Sequence, residues 1–510
     1  MRSSRRTIPA LALAALLAGP GAKADEALLE ASCGGCHMAT DAGLSRIAGQ
    51  RKTPEGWLMT IVRMRIAHGL EISPADQATL VAYLSETQGL APAETAGWRY
   101  ALEKDPSVVE AIEPPLDQMC ARCHTGARFA LQRRTAEEWS LHMDFHVGQY
   151  PTIEYQALGR DRDWYRLAKE EIAPLLSEKY PLETPEWTAW AAAEKPAVAG
   201  EWVVLTAIPG RGGAHGVLTV AGDASPYTVD GALSLADGTA LRVAGQMNLY
   251  TGYEWRANLT VGDTAFRQVL AVSEDGTRLE GRQFLRDTDS LGARISGVRA
   301  AAGPVILGTV PEALPVPGGA VQIVGTGLEG LNIEGAGAAD LAPNPSGVAA
   351  NLSADANATA TLKAGEAAAT VSLYASVDRI AVDPPFTIAR VGGGSDQGPP
   401  PVPVQFRAVG FWNGPDGQPE TADDIRVGEV PATWSVGDHD ETAAAMGDAK
   451  YAGALDPAGI FMPSVAGPNP ERKYATNNAG DLKVTASAMG LTADARLIVT
   501  VQRWIDPPLR

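Results

Sequence analysis

All four cysteines of this 510-residue chain lie in two Cys-x-x-Cys-His motifs, Cys33-Gly34-Gly35-Cys36-His37 and Cys120-Ala121-Arg122-Cys123-His124. That spacing suits covalent haem attachment. Two thiols reach the two vinyl groups of one porphyrin, and the adjoining imidazole is delivered to the iron as proximal ligand. A zinc knuckle would want further thiolates, which the chain lacks. A thioredoxin-like pair would need a βαβ setting, which the flanking sequence does not offer. The motifs therefore predict two covalently bound haems c, with Cys33, Cys36, Cys120 and Cys123 as thioethers and His37 and His124 as proximal ligands.

The distal ligands are read from an internal duplication. Arg51-Lys52-Thr53-Pro54-Glu55-Gly56-Trp57 matches Arg133-Arg134-Thr135-Ala136-Glu137-Glu138-Trp139. In both, Thr is an N-cap candidate and the following residues form a helical first turn before a buried aromatic. After the first landmark come Met59, Met64 and His68; after the second come His142, Met143 and His146. Met64 and His68 share a helical face, as do His142 and His146, so spacing alone leaves two choices per haem. With Trp57 superposed on Trp139, Met64 falls opposite His146, while His142 faces Thr60 and His68 faces Tyr150. This favours His37/Met64 for the first iron and His124/His146 for the second, with His68 and His142 as the alternatives. A thioether ligand raises the reduction potential relative to a second imidazole, so the first haem should be the higher. With both axial positions filled, neither iron offers an open site, and no catalytic residue is expected on this chain.

The elements that must position these groups read as helices over residues 25–196, in two copies at about 25–90 and 110–196. Ser73-Pro74-Ala75-Asp76 starts a second helix in the first copy, with an apolar stripe at Leu80, Val81 and Leu84 ending near Gly89. The second copy carries Trp164, Tyr165, Tyr180, Trp187 and Trp190, which suit haem-pocket or inter-domain packing. Beyond residue 196 the texture changes to short alternating runs with Asp237-Gly238 and Asp275-Gly276 turns. The fold class is thus multidomain, α plus all-β: a helical dihaem cytochrome c domain, then three antiparallel β domains, barrel or immunoglobulin-like, at 197–302, 303–390 and 391–510. Gly392-Gly393-Gly394 and Pro399-Pro400-Pro401 read as a boundary loop.

Arg2, Arg5 and Arg6, an apolar run from Ile8 to Leu17 and Ala22-Lys23-Ala24 have the form of a cleaved export signal over residues 1–24. No later stretch has the ~20 apolar residues of a membrane span, so a periplasmic location is expected. The formal charge of −18 argues against nucleic acid and anionic membrane partners. Five of the seven histidines precede residue 147, which assigns iron chemistry to the N-terminal third. Asn413-Gly414-Pro415-Asp416-Gly417 with Asp423-Asp424 has the oxygen-rich look of a calcium loop but lacks a terminal bidentate Glu, so a solvated turn is the alternative. No Ser/His/acid set or paired carboxylates mark the β domains as catalytic.

Two haem-attachment motifs, the repeated Thr-x-Glu-x-Trp landmark and three following β domains together resemble the α subunit of quinohaemoprotein amine dehydrogenase. The resemblance implies a propeller-like β subunit and a small γ subunit as partners, with a quinone cofactor on the γ subunit. Primary amines would be oxidised to aldehyde and ammonia at that quinone. Electrons would leave through the two haems to a blue-copper protein or soluble cytochrome c. A dihaem peroxidase and a haem-tethered extracytoplasmic binding protein are the competing readings. The first predicts an iron that opens on activation, the second a β surface that grips a carbohydrate or cell-surface partner.

Overall fold

Thr53 and Thr135 each start a helix. Their hydroxyls accept the Gly56 amide at 3.3 Å and the Glu138 amide at 3.1 Å, satisfying donors that a helix N-terminus leaves without a partner. The helices that follow are Pro54–His68 and Ala136–Gln149. The chain is described by a computed structural model over residues 20–154, 162–394 and 398–502. The leader arginines and the apolar run after them lie outside the described residues.

Trp57 and Trp139 are each no more than 1% exposed. Each indole Nε1 donates to a carbonyl just past the next long helical run of its own copy, Gln88 O at 3.1 Å and Tyr180 O at 3.0 Å. That run is Pro74–Thr87 in the first copy, capped by Ser73. In the second it is Trp164–Lys179, widened by a π turn at Ala168–Ile172. Strands Gln50–Lys52 and Gln132–Arg134 pair antiparallel with Arg51 directly opposite Arg133. These are equivalent residues of the two copies, so the repeats meet about a local two-fold axis. Glu94 bridges the two arginines, 2.9 Å from Arg51 Nη1 and 3.0 Å from Arg133 Nε, with all three side chains buried. The guanidinium–carboxylate geometry is bidentate toward Arg51, the arrangement that makes a buried ion pair tolerable.

Eight strands from Gly200–Ile208 to Thr288–Arg299 form a closed antiparallel barrel. Trp202, Trp255, Phe266, Leu270 and Ile295 belong to its packed core. The expected Asp-Gly turns are there, with Gly238 and Gly276 at positive φ of 82° and 69°. A third hairpin turn, Thr251-Gly252, has both central residues at positive φ, 53° and 75°. That conformation matches the twist of the flanking strands but is costly for a β-branched residue. Thr251 is held there by the haem region: its hydroxyl lies 3.1 Å from Ser85 O, and its carbonyl accepts Trp190 Nε1 at 2.9 Å. A side chain at Gly89 would sit 2.8 Å from that Thr251 hydroxyl and 2.2 Å from Ser85 O, so the junction needs glycine.

The next unit is a pair of four-stranded sheets spanning Val305–Val310 to Ala367–Tyr374, packed around Ile323, Leu352, Leu362 and Leu373. The last unit begins earlier than the expected boundary at 390. Arg379–Asp383 pairs with Arg407–Trp412, and Phe386–Arg390 pairs in parallel with Leu491–Thr500. Both strands thus belong to the C-terminal unit, and the Gly/Pro-rich loop is internal to it, with Arg390 bridged to Val402 and Gly392 to Val465. Composition suggested a break there. Parallel pairing across more than a hundred residues leaves no local signal that could have argued against one.

Candidate haem centres

Cys33 closes the helix Pro20–Cys33. The Cys36 and His37 amides both donate back to its carbonyl, at 3.1 and 3.0 Å, drawing the motif into a tight turn. The His37 ring then lies with Nδ1 2.8 Å from Ser45 O. A carbonyl can only accept, so Nδ1 carries the proton and Nε2 keeps its lone pair for a metal. The second motif repeats the design: Cys123 N donates to Cys120 O at 3.2 Å, and His124 Nδ1 donates to Thr125 O at 2.9 Å. Burial pushes the His124 imidazole down to about 4 and the Cys120 thiol up to about 12, so the imidazole is neutral at physiological pH.

His146 shows the same ring orientation as the two motif histidines. Its Nδ1 donates to His142 O at 2.8 Å, and its ring lies 5.6 Å from Trp164. Burial lowers its pKa. His142 is held differently. It stacks on Phe145 at 5.5 Å and meets Trp139 edge-on at 6.1 Å, and its ring makes no hydrogen bond among the described residues. In the first copy Met64 is half-buried, whereas His68, the last residue of its helix, is exposed. Ile61 and Met143, equivalent in the two copies, are both core residues, 6% and 2% exposed. Met59 is exposed and in contact with Arg63.

Three cations gather where the copies face each other. Lys52 Nζ sits 5.0 Å over Trp57, Arg134 lies 5.5 Å over Trp139, and Arg63 reaches from the first copy to 5.0 Å over Phe145 of the second. Burial, then Arg134 and Arg63, push the Lys52 ammonium well below its usual range. Arg134 falls to about 9, chiefly through burial. Glu138 is their anionic neighbour, and it also pairs with Arg46 at 2.7 Å. A buried excess of positive charge fits a group bearing carboxylates. Haem c brings two propionates per porphyrin, so thiols, oriented imidazoles and cations together suit it.

Three family models match the chain in order: quinohemoprotein amine dehydrogenase α subunit, haem binding, over residues 23–187; α subunit domain II over 195–300; and α subunit domain IV over 380–509. The chain belongs to the quinohemoprotein amine dehydrogenase α-subunit family. It is therefore a haem-carrying subunit of an amine dehydrogenase. The domain II match coincides with the closed barrel, and the domain IV match begins within a residue of Arg379. A search of curated proteins returns no match. Among solved structures, a redesigned β-barrel bound to DFHBI aligns at 16% identity and TM-score 0.17 over 20% of this chain and 91% of its own. The four N-terminal Ig domains of Dscam1 isoform 6.9 align at 11% and 0.14, over 59% and 91%.

The α-subunit sequence gave no hint of Glu94, Glu110 or Glu254, three buried carboxylates set by tertiary contacts. Trp164 and Trp190 take the packing roles expected: Trp164 Nε1 donates to Met119 O at 3.1 Å beneath His146, and Trp190 meets Tyr253 of the barrel at 5.5 Å, whereas Tyr165 is exposed and donates its hydroxyl to Asp144 at 2.6 Å. Among the described residues no group of three or more His, Cys, Asp or Glu could by itself hold a metal ion. In the Asp416–Asp424 loop, Asp423 accepts the Asp416 amide at 3.2 Å and the Thr421 hydroxyl at 2.8 Å, while Asp424 pairs with Arg379.

Proposed function

We propose that this chain is the electron-transfer subunit of a periplasmic amine dehydrogenase. It would receive electrons from a quinone on a partner subunit and pass them to a blue-copper protein or soluble cytochrome. The observation that carries this reading is the pair of Cys-x-x-Cys-His turns with both proximal imidazoles already oriented by backbone carbonyls. Bound haem c supplies one-electron transfer. The chain's own residues anchor it through Cys33 and Cys36 in one copy and Cys120 and Cys123 in the other. His37 and Met64 would be the axial ligands of the first site, His124 and His146 those of the second. The Nδ1 hydrogen bond of His146, which His142 lacks among the described residues, and the half-burial of Met64 against the exposure of His68 support these choices. Lys52, Arg63 and Arg134 would face the propionates.

Filled axial positions suit outer-sphere transfer and leave the amine chemistry to the propeller-like β and small quinone-bearing γ subunits, the expected partners. Among the described residues no helix is long and apolar enough to cross a membrane. A potentiometric titration of the intact enzyme tests the ligand set. Met64→His should lower the potential of the upper of two waves, and His68→Ala should leave both in place. The reverse pattern would move the ligand to His68.

A further inference from the structure

Behind the second proximal histidine lies a carboxylate that haem attachment does not require. Glu110 is 8% exposed. Its Oε1 accepts the Tyr100 hydroxyl at 2.5 Å and also the Thr125 hydroxyl, and its Oε2 accepts the Gly126 amide at 2.8 Å. Thr125 is the residue whose carbonyl takes the His124 Nδ1 proton. All of these donors are neutral, so hydrogen bonds spread the charge of Glu110 without cancelling it. The first copy is built otherwise. The acceptor for His37 is Ser45 O, and the Ser45 hydroxyl is engaged by the Met38 amide at 3.0 Å.

We infer that Glu110 is a positioning and electrostatic residue that sets the second haem below the first in potential. A buried anion hydrogen-bonded to the residue that follows the proximal ligand favours the ferric over the ferrous site, because the ferric site carries one more positive charge and the surroundings screen little. It also fixes the Thr125 segment, and hence the His124 ring, through a side-chain hydroxyl and a backbone amide. The difference between the two sites is thereby built into the proximal side, independently of whether the sixth ligand is sulfur or nitrogen. This inference rests on the reading that the second motif carries haem.

The test is a spectroelectrochemical titration of the intact enzyme at fixed pH. A Cys120→Ala/Cys123→Ala double variant first identifies the wave of the second site by its loss. If no wave is lost, the attachment reading fails. With that wave identified, Glu110→Gln should move it to higher potential without altering the low-spin absorption spectrum or the other wave. Tyr100→Phe should move it the opposite way, since removing a donor leaves the carboxylate less neutralised. Thr125→Val should act as Tyr100→Phe does, and these two carry the test if Glu110→Gln does not fold. A wave that stays in place, or donor and acceptor variants that shift it in one direction, would overturn the role given to Glu110.

Discussion

At the scale of single residues, a carbonyl oxygen behind an imidazole decides which nitrogen is left for iron. Ser45 O, Thr125 O and His142 O each take an Nδ1 proton, from His37, His124 and His146 respectively. Histidines held this way present Nε2 in a fixed direction. His142, stacked on Phe145 instead, lacks that brace. His146→Ala should therefore convert one haem from low-spin to high-spin in the resting spectrum, while His142→Ala should leave both low-spin. Absorption and electron paramagnetic resonance of the two purified variants decide between them. The two Cys-x-x-Cys-His motifs were legible from spacing alone, and both fold as tight turns. The distal choice needed the duplication, and its geometric support, ring orientation, is a property that sequence does not carry.

At the scale of elements, two helical repeats are clamped about one buried carboxylate. Glu94 takes Arg51 and Arg133 together and accepts the Thr184 hydroxyl at 2.9 Å. Burial works against its ionisation, but the two guanidiniums outweigh it and hold its pKa below the usual carboxylate range. Glu94→Ala would leave two buried cations without their anion and should destabilise the haem region by about 3–5 kcal/mol. Thermal unfolding followed at the haem band would show this as an early transition separate from that of the β units. Helix starts at Thr53, Ser73 and Thr135 were readable from capping residues. The ribbon pairing Arg51 with Arg133 was not, because three-residue strands carry no periodicity and their partner lies some eighty residues away.

At the scale of the whole molecule, the barrel meets the haem region through the Thr251 hairpin, through Arg256, and through Arg282 and Arg294, which reach the Glu103 carbonyl at 3.2 Å and its carboxylate at 3.6 Å. Arg256 pairs with Glu55, in the first turn of the helix Pro54–His68, at 2.6 Å and with Glu254 at 3.1 Å. One guanidinium serves two carboxylates, and burial pushes Glu254 up to about 7, although Arg256 opposes the shift. Between the ordinary carboxylate value of about 4.3 and pH 7 the unfolded chain ionises this group while the folded chain keeps it protonated. Stability from Glu254 is therefore present at low pH and lost as pH rises through that window, with a slope of up to about 1.4 kcal/mol per pH unit. Burial also opposes ionisation of Glu55, but there Arg256 prevails and holds its pKa low, so its contribution is lost only at more acid pH. The parent protein's unfolding temperature should fall from pH 5 to pH 7, and Glu254→Gln should flatten that fall; an unchanged profile would remove Glu254 as its source. The domain order was legible from texture, helical then β-rich. Barrel closure and the early start of the last unit depend on strand pairings distant in sequence. In the proposed function a partner oxidises the amine and this chain collects the electrons. The direct test is anaerobic addition of a simple primary amine to the native assembly and to this chain alone, watching the haem absorbance. Haem reduction in the assembly and none in the isolated chain is the expected result; no reduction in either, with both still reducible by dithionite, would contradict it.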